Sequence, residues 1–378
     1  MPLPGQRNDG PRLVHFDCLI ALIAWAGASP APTRMTFRFL RLPLAALAGL
    51  FLLTACPDKK ATETADAGAG AVEAKLPRAP VFNADSAYAF TAKQVAFGPR
   101  VPNTKAHIAC GNYLVAKLKS FGPKVTEQPF EAMTFDGTNI HARNIIAQYQ
   151  PQAARRVAVF GHWDTRPFAD NDKTHKNAPM DGASDGASAV AVALEMARVL
   201  SQQPDSLAPA VGVDFILFDA EDWGHDDTTQ ADLKNQLEGS GTDSWCLGSQ
   251  YWIAHLLPAG YKAEYGVLLD MVGAKGGSFT REGTSRNSAR GPLDKIWNTA
   301  AQLGYSDYFR FQDTDAIIDD HVYTNKAGIP TLDIYDHPRF GTDFFPAYHH
   351  ATTDNMRIID RKTLKAVGQT MLQTLYMN

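Results

Sequence analysis

Two imidazoles and four carboxylates lie far apart in this chain, yet nearly all of them follow runs that read as buried strands. They are His162 in Val157-Ala-Val-Phe-Gly-His-Trp-Asp164, Asp185 in Gly182-Ala-Ser-Asp-Gly-Ala187, and the pair Glu221-Asp222 after Phe215-Ile-Leu-Phe-Asp219. Asp270 closes Val267-Leu-Leu-Asp270, and His350 precedes Ala351-Thr-Thr-Asp354. Imidazole nitrogen and carboxylate oxygen are donors that zinc takes, and a catalytic zinc keeps one position open. Asp185, Asp222 and His350 would make such a three-ligand set. Glu221 leaves the strand beside Asp222 pointing another way, which frees it to act as general base. His162 and Asp270 would complete a second metal position or serve as hydrogen-bonding groups, with Asp164 orienting the His162 ring. An acidic pair or a His-x-Asp is incidental when met alone. Their joint order along the chain carries the inference.

The elements that must position these residues follow from hydrophobic spacing. Asp85 to Phe97 and Thr104 to Phe121 have helical periodicity, the second stopped by Gly122-Pro123. Val125 to Phe135 and Asn139 to Tyr149 alternate like paired strands. Val157 to Gly161, Val213 to Asp219, Tyr265 to Met271 and Thr331 to Tyr335 are short apolar runs suited to buried strands. Helices are expected at Gly186 to Leu200, Leu247 to Leu256, Pro292 to Leu303 and Asp360 to Tyr376. Strands alternating with helices predict an α/β three-layer sandwich, its central mixed and mostly parallel sheet covered by helices on both faces, with the early hairpin at an edge. In such sheets ligands gather at the carboxyl ends of the strands.

The chain has 378 residues, with 40 acidic against 36 basic, and no basic patch that would suit a nucleic acid. Residues 1–34 read as a non-structural extension. From Met35 the sequence has the form of a secretion signal: Arg38 and Arg41, an apolar stretch from Leu42 to Leu53, then Leu53-Thr-Ala-Cys56. The small residues before Cys56 resemble a bacterial lipobox, which makes 35–55 a lipoprotein signal peptide and Cys56 the lipidated residue. Pro57 in place of an aspartate favours the periplasmic side of the outer membrane, with the lipid as the only membrane contact. Residues 56–80 are too poor in large apolar side chains to fold and read as a tether. Residues 81–378 then form one catalytic domain. Cys110 and Cys246 remain, either as a disulfide or as two buried thiols. The polar stretch His225 to Asp243 reads as a lid over the site or an idle insertion. Asp170-Asn-Asp172 lacks the spacing of a calcium loop and reads as a solvated turn.

The series Gly161-His-Trp-Asp164, Gly182-Ala-Ser-Asp185, Asp219-Ala-Glu-Asp222, Leu269-Asp-Met-Val-Gly273, Asp319-Asp-His321 and His350 resembles the zinc aminopeptidase superfamily. Within it the chain is most similar to the animal-type glutaminyl-peptide cyclotransferases, over about Phe97 to Tyr376. Phe97-Gly-Pro-Arg-Val-Pro102 and Trp245-Cys-Leu-Gly-Ser-Gln-Tyr-Trp252 add to the likeness. The resemblance implies a single zinc on Asp185, Asp222 and His350, Glu221 as proton shuttle, and Asp270 and Asp319 as catalytic carboxylates near the reacting amide. It makes His162 a spare residue or a second-metal ligand. The implied reaction is cyclisation of N-terminal glutamine on peptides and proteins. His349 stands where those cyclases carry a tryptophan, and it is expected in the substrate pocket with Trp245 and Trp223, though Trp223, like Trp163, would equally suit the core. A two-zinc aminopeptidase using the same ligands is the nearest rival. A catalytically silent binding lipoprotein of the same fold is the other.

The mature chain is expected to begin at a lipid-modified Cys56, which mass spectrometry of membrane-extracted protein would detect. An unmodified chain starting upstream of Met35 would contradict this.

Overall fold

The computed structural model describes residues 79–225 and 243–377. The signal, most of the tether and nearly all of the expected lid, residues 226–242, lie outside the described residues. Among the described residues, no helix is long and apolar enough to cross a membrane.

Two helices come first, α1 (Ala84–Val95) and α2 (Lys105–Ser120). Each begins where the sequence supplies a cap: Asn83 accepts the amides of Asp85 and Ser86, and Thr104 accepts that of His107. The hairpin of β1 (Lys124–Met133) and β2 (Asn139–Tyr149) follows, then β3 (Arg156–His162), α3 (Ala187–Ser201) and β4 (Gly212–Phe218). The remaining elements are α4 (Leu247–Ala254), β5 (Tyr265–Asp270), β6 (Phe279–Arg281), α5 (Gly283–Ser288), α6 (Arg290–Gln302), β7 (Phe309–Asp313), α7 (Asp320–Lys326), β8 (Thr331–Tyr335) and α8 (Arg361–Leu375).

The main sheet runs β1-β2-β4-β3-β5-β8. β4, β3, β5 and β8 are mutually parallel, and β1-β2 adds to β4 as an antiparallel edge. Successive strand side chains point to opposite faces. In β3 this sends Val157 and Val159 into the large apolar cluster with α1, α2, α3, α6 and α8. Ala158 and Phe160 go to the other face, among Phe218, Trp252, Tyr261 and Leu268. Both faces are covered, which is why these strands read as unbroken apolar runs.

The sandwich, its mostly parallel sheet and the edge hairpin are as expected from sequence. The β6-β7 pair and the short helices α5 and α7 are additions, and three-residue β6 is too short to show a period. Cys110 and Cys246 are buried free thiols, the second of the two readings.

Candidate metal centre and active site

Parallel order brings the ends of β3, β4 and β5 to one edge. His162 is the last residue of β3, Asp270 the last of β5, and Glu221-Asp222 follow β4 by a short turn. Asp185 and His350 depart from the strand-end pattern: Asp185 lies in the loop just ahead of α3, and His350 in the long loop between β8 and α8. Non-glycine residues with positive φ stand at these points, Ala220 (56°) before Glu221, Met271 (50°) after Asp270, and His350 itself (53°). Such backbone is uncommon and gathers where function over-determines geometry.

Asp185 is the shared member. One of its oxygens lies 2.9 Å from His162 Nε2, and the other 4.0 Å from His350 Nε2. His162 Nε2 is also 3.3 Å from Asp270, and His350 Nε2 is 3.0 Å from Asp222 Oδ1. Asp222 divides its labour: Oδ2 accepts the Arg166 amide at 2.8 Å, while buried Oδ1 has no hydrogen-bond partner among the described residues and faces His350. Gly186 makes the approach possible, because a Cβ there would lie 2.5 Å from His162 Nε2.

The residues fit a divalent cation. His162, Asp185 and Asp270 offer donor atoms within 4.8 Å of one another, and so do Asp185, His349 and His350. The cluster is also over-rich in anions. Burial first, then Asp185, drives the Asp222 carboxyl well above the usual carboxylate range. Burial raises Asp270 to about 6, against the pull of its His162 hydrogen bond. A cation here would relieve both the repulsion and the desolvation.

Glu221 stands outside that shell. Its Oε1 accepts a weak bond from the Cys246 thiol at 3.4 Å, and its Oε2 is 3.8 Å from His162 Nδ1. Burial, with the negative charges of Asp319, Asp222 and Asp320, pushes its pKa well up against the influence of His162. Asp319, at the N-terminus of α7, offers an oxygen within 4.8 Å of donor atoms on Glu221 and Cys246. Burial and the charge of Asp270 raise its carboxyl to about 7.

Supporting residues surround this set. Asp164 accepts the amides of Glu221 (3.1 Å) and Asp222 (3.2 Å), and lies 3.5 Å from His162 Nδ1. Asp354 holds the Asp185 loop by accepting the amides of Ser184 (2.7 Å) and Asp185 (3.1 Å). Buried Arg100 holds the same loop through the carbonyls of Asp181 and Gly182. Of these, only Asp164 was given a role from sequence. Arg100 stands in Phe97-Gly-Pro-Arg-Val-Pro102 and Asp354 ends Ala351-Thr-Thr-Asp354, but a structural arginine and a loop aspartate carry no signature of their own.

The Asp170–Asp172 turn is solvated only in part, with Asn171 exposed and Asp172 buried. Asp170 pairs with Arg166 and lies 3.7 Å from His350 Nδ1, and Asp172 ties the turn to the Thr352 amide at 3.1 Å. Trp245 stacks on His350 with centroids 5.7 Å apart, beside the Arg166 guanidinium, and is half-buried as a pocket wall would be. Trp223 belongs instead to the core: it packs with Val101, Phe130 and Ile140, and its indole donates to Asp136. His349 stacks between Phe345 (4.2 Å) and His350 (3.6 Å). Burial, then the His350 charge, holds its pKa well below the ordinary imidazole value.

An α/β sandwich with imidazole and carboxylate donors at its parallel strand ends is the architecture of a metal-dependent enzyme. The match to the model of peptidase family M28 spans residues 144–375, and the chain belongs to that family. It is 45% identical to a Zn-dependent exopeptidase from Parabacteroides distasonis, with a TM-score of 0.74, covering 80% of this chain and 100% of that one. It is 46% identical to a glutaminyl cyclase from Bacteroides thetaiotaomicron, with a TM-score of 0.73 and the same coverage of 80% and 100%. Among curated relatives, an aminopeptidase of Bacillus subtilis is 25% identical over 74% of this chain, which spans 54% of that protein's length.

His349→Ala is expected to raise KM several-fold more than it lowers kcat, with zinc content unchanged, because the ring stacks on Phe345 and His350 at the site, although its nitrogen also lies within donor distance of Asp185. His349→Trp should lower KM. Metal analysis beside steady-state kinetics checks this, and loss of zinc from the alanine variant would make His349 a ligand.

Proposed function

We propose that this protein converts the N-terminal glutamine of peptides and proteins into pyroglutamate with release of ammonia. The observation that carries the reading is Asp319. A metal-dependent aminopeptidase needs its metal donors and one base, and Asp319 is a further buried carboxylate placed beside that base. The 46% identity to a glutaminyl cyclase points the same way.

Asp185, Asp222 and His350 would hold one zinc ion. When bound, zinc supplies Lewis-acid polarisation of the γ-amide carbonyl. Glu221 takes a proton as the α-amine forms its bond to the side-chain amide carbonyl carbon, and returns it to the departing nitrogen, so that ammonia leaves as the carbon–nitrogen bond of the side-chain amide breaks. Its raised pKa suits a group that must both accept and donate. Asp270 and Asp319, with carboxyls at about 6 and about 7, hold the amide nitrogen and its hydrogens. Amine and amide belong to one molecule, so these residues gain rate chiefly by keeping the side chain folded back. His162, already within hydrogen-bond reach of Asp185 and Asp270, serves as their cationic partner. Displacing its proton for a second metal would give the rival aminopeptidase site. A lipid on Cys56, facing the periplasm, would anchor the enzyme.

Purified protein incubated with a Gln-initiated peptide and a Leu-initiated amide should release ammonia from the first and no leucine from the second. Free leucine alone would support the peptidase. Glu221→Gln should lose about 10²-fold or more of turnover while retaining zinc, and Asp222→Ala and His350→Ala should lose the metal. Near-normal turnover in Glu221→Gln would remove the shuttle assignment.

A further inference from the structure

The carboxylate of Glu282 is fully buried, lies outside the metal cluster and takes no part in the mechanism above. It caps α5, accepting the amides of Thr284 (2.6 Å) and Ser285 (2.7 Å) and the Ser285 hydroxyl (2.6 Å). A cap alone would not require burial. Two further contacts leave the helix. Oε1 accepts the amide of Ile317 at 3.3 Å, and Oε2 lies 3.3 Å from His321 Nε2. These partners stand two residues before and two residues after Asp319, so a single carboxylate ties the chain on both sides of it.

The surroundings make this a clamp. Gly283 lets the incoming segment lie against α5, because a Cβ there would meet the Ala316 backbone nitrogen at 2.7 Å. Thr280 and Thr314 join their hydroxyls at 2.8 Å, and Arg286 donates to the Thr314 carbonyl at 2.9 Å. Ser285 passes the restraint to β8 through the Asp333 amide at 2.8 Å. Beyond the clamp, Ile317 packs with Met271 and Tyr335, next to the end of β5 that carries Asp270. Burial would raise the Glu282 carboxyl, but His321 and the Ser285 donors outweigh it and hold it at about 2, so the clamp is charged.

We propose that Glu282 is a positioning residue for the reaction, holding Asp319 at the reacting centre through the Ile317 amide and the His321 imidazole. The proposal rests on Asp319 acting in turnover as described above. Glu282 touches no substrate, and its effect must pass through Asp319. A shift of about an ångström in a catalytic group is enough to cost up to ~10²-fold in rate.

The test is a double-mutant cycle on the full chain, with turnover of a Gln-initiated peptide, zinc content and thermal melting read for each protein. Glu282→Gln keeps the shape and loses the charge. It should lower kcat by about 10-fold or more with little change in KM and with zinc retained. In the Asp319→Asn background the same substitution should add little, because the two act as a unit. Glu282→Asp should recover part of the loss. If Glu282→Gln does not fold, Gly283→Ala loosens the same clamp with the carboxylate intact and should show the same non-additivity with Asp319→Asn. Unchanged kcat, or losses that multiply in the double variant, would overturn the proposal. A wild-type protein that releases no ammonia would instead contradict the cyclase reading itself.

Discussion

A carboxylate shared between two imidazoles, that of Asp185, is the contact on which the active centre is built. One oxygen meets His162, and the other faces His350. Neither histidine is near it in sequence, so the fold must carry the constraint. Asp354 fixes the Asp185 amide, Arg100 the carbonyls just before it, and the missing side chain of Gly186 admits the His162 ring. Gathering so many carboxylates away from water is costly unless positive charge accompanies them. His162 is placed to supply part of that charge, since the carboxylates around it raise its pKa well above the ordinary value despite burial. The remainder is work for a metal.

The scaffold was legible because its physics is periodic. Val157 and Val159 face one helical layer, Ala158 and Phe160 the other, and a strand covered on both faces must be apolar throughout. The same logic placed His162, Asp270 and Glu221 at strand ends. Asp185 and His350 sit on loops, where no period applies, and their donor types and joint order along the chain, rather than a periodic pattern, brought them into the expected ligand set. Asp319 came only with the resemblance to a known family.

What the sequence withheld is the supporting layer. Glu282, Asp354 and Arg100 act through backbone amides and carbonyls, and such contacts leave no pattern of residue types. Trp223 and Trp245 show the related problem for packing. Both indoles flank the site in sequence, yet Trp223 is held in the core by Phe130 and Asp136, while Trp245 lies against His350. Strand-to-loop geometry separates them, not composition.

Cyclase and aminopeptidase chemistry would use nearly the same donors here, and they differ in what attacks the carbonyl: the substrate's own amine or water. Turnover of a Gln-initiated peptide in heavy-oxygen water, followed by intact mass, separates the two directly. The account predicts a product lighter by one ammonia that carries no heavy oxygen. A peptide shortened by one residue, with heavy oxygen in the released amino acid, would contradict it.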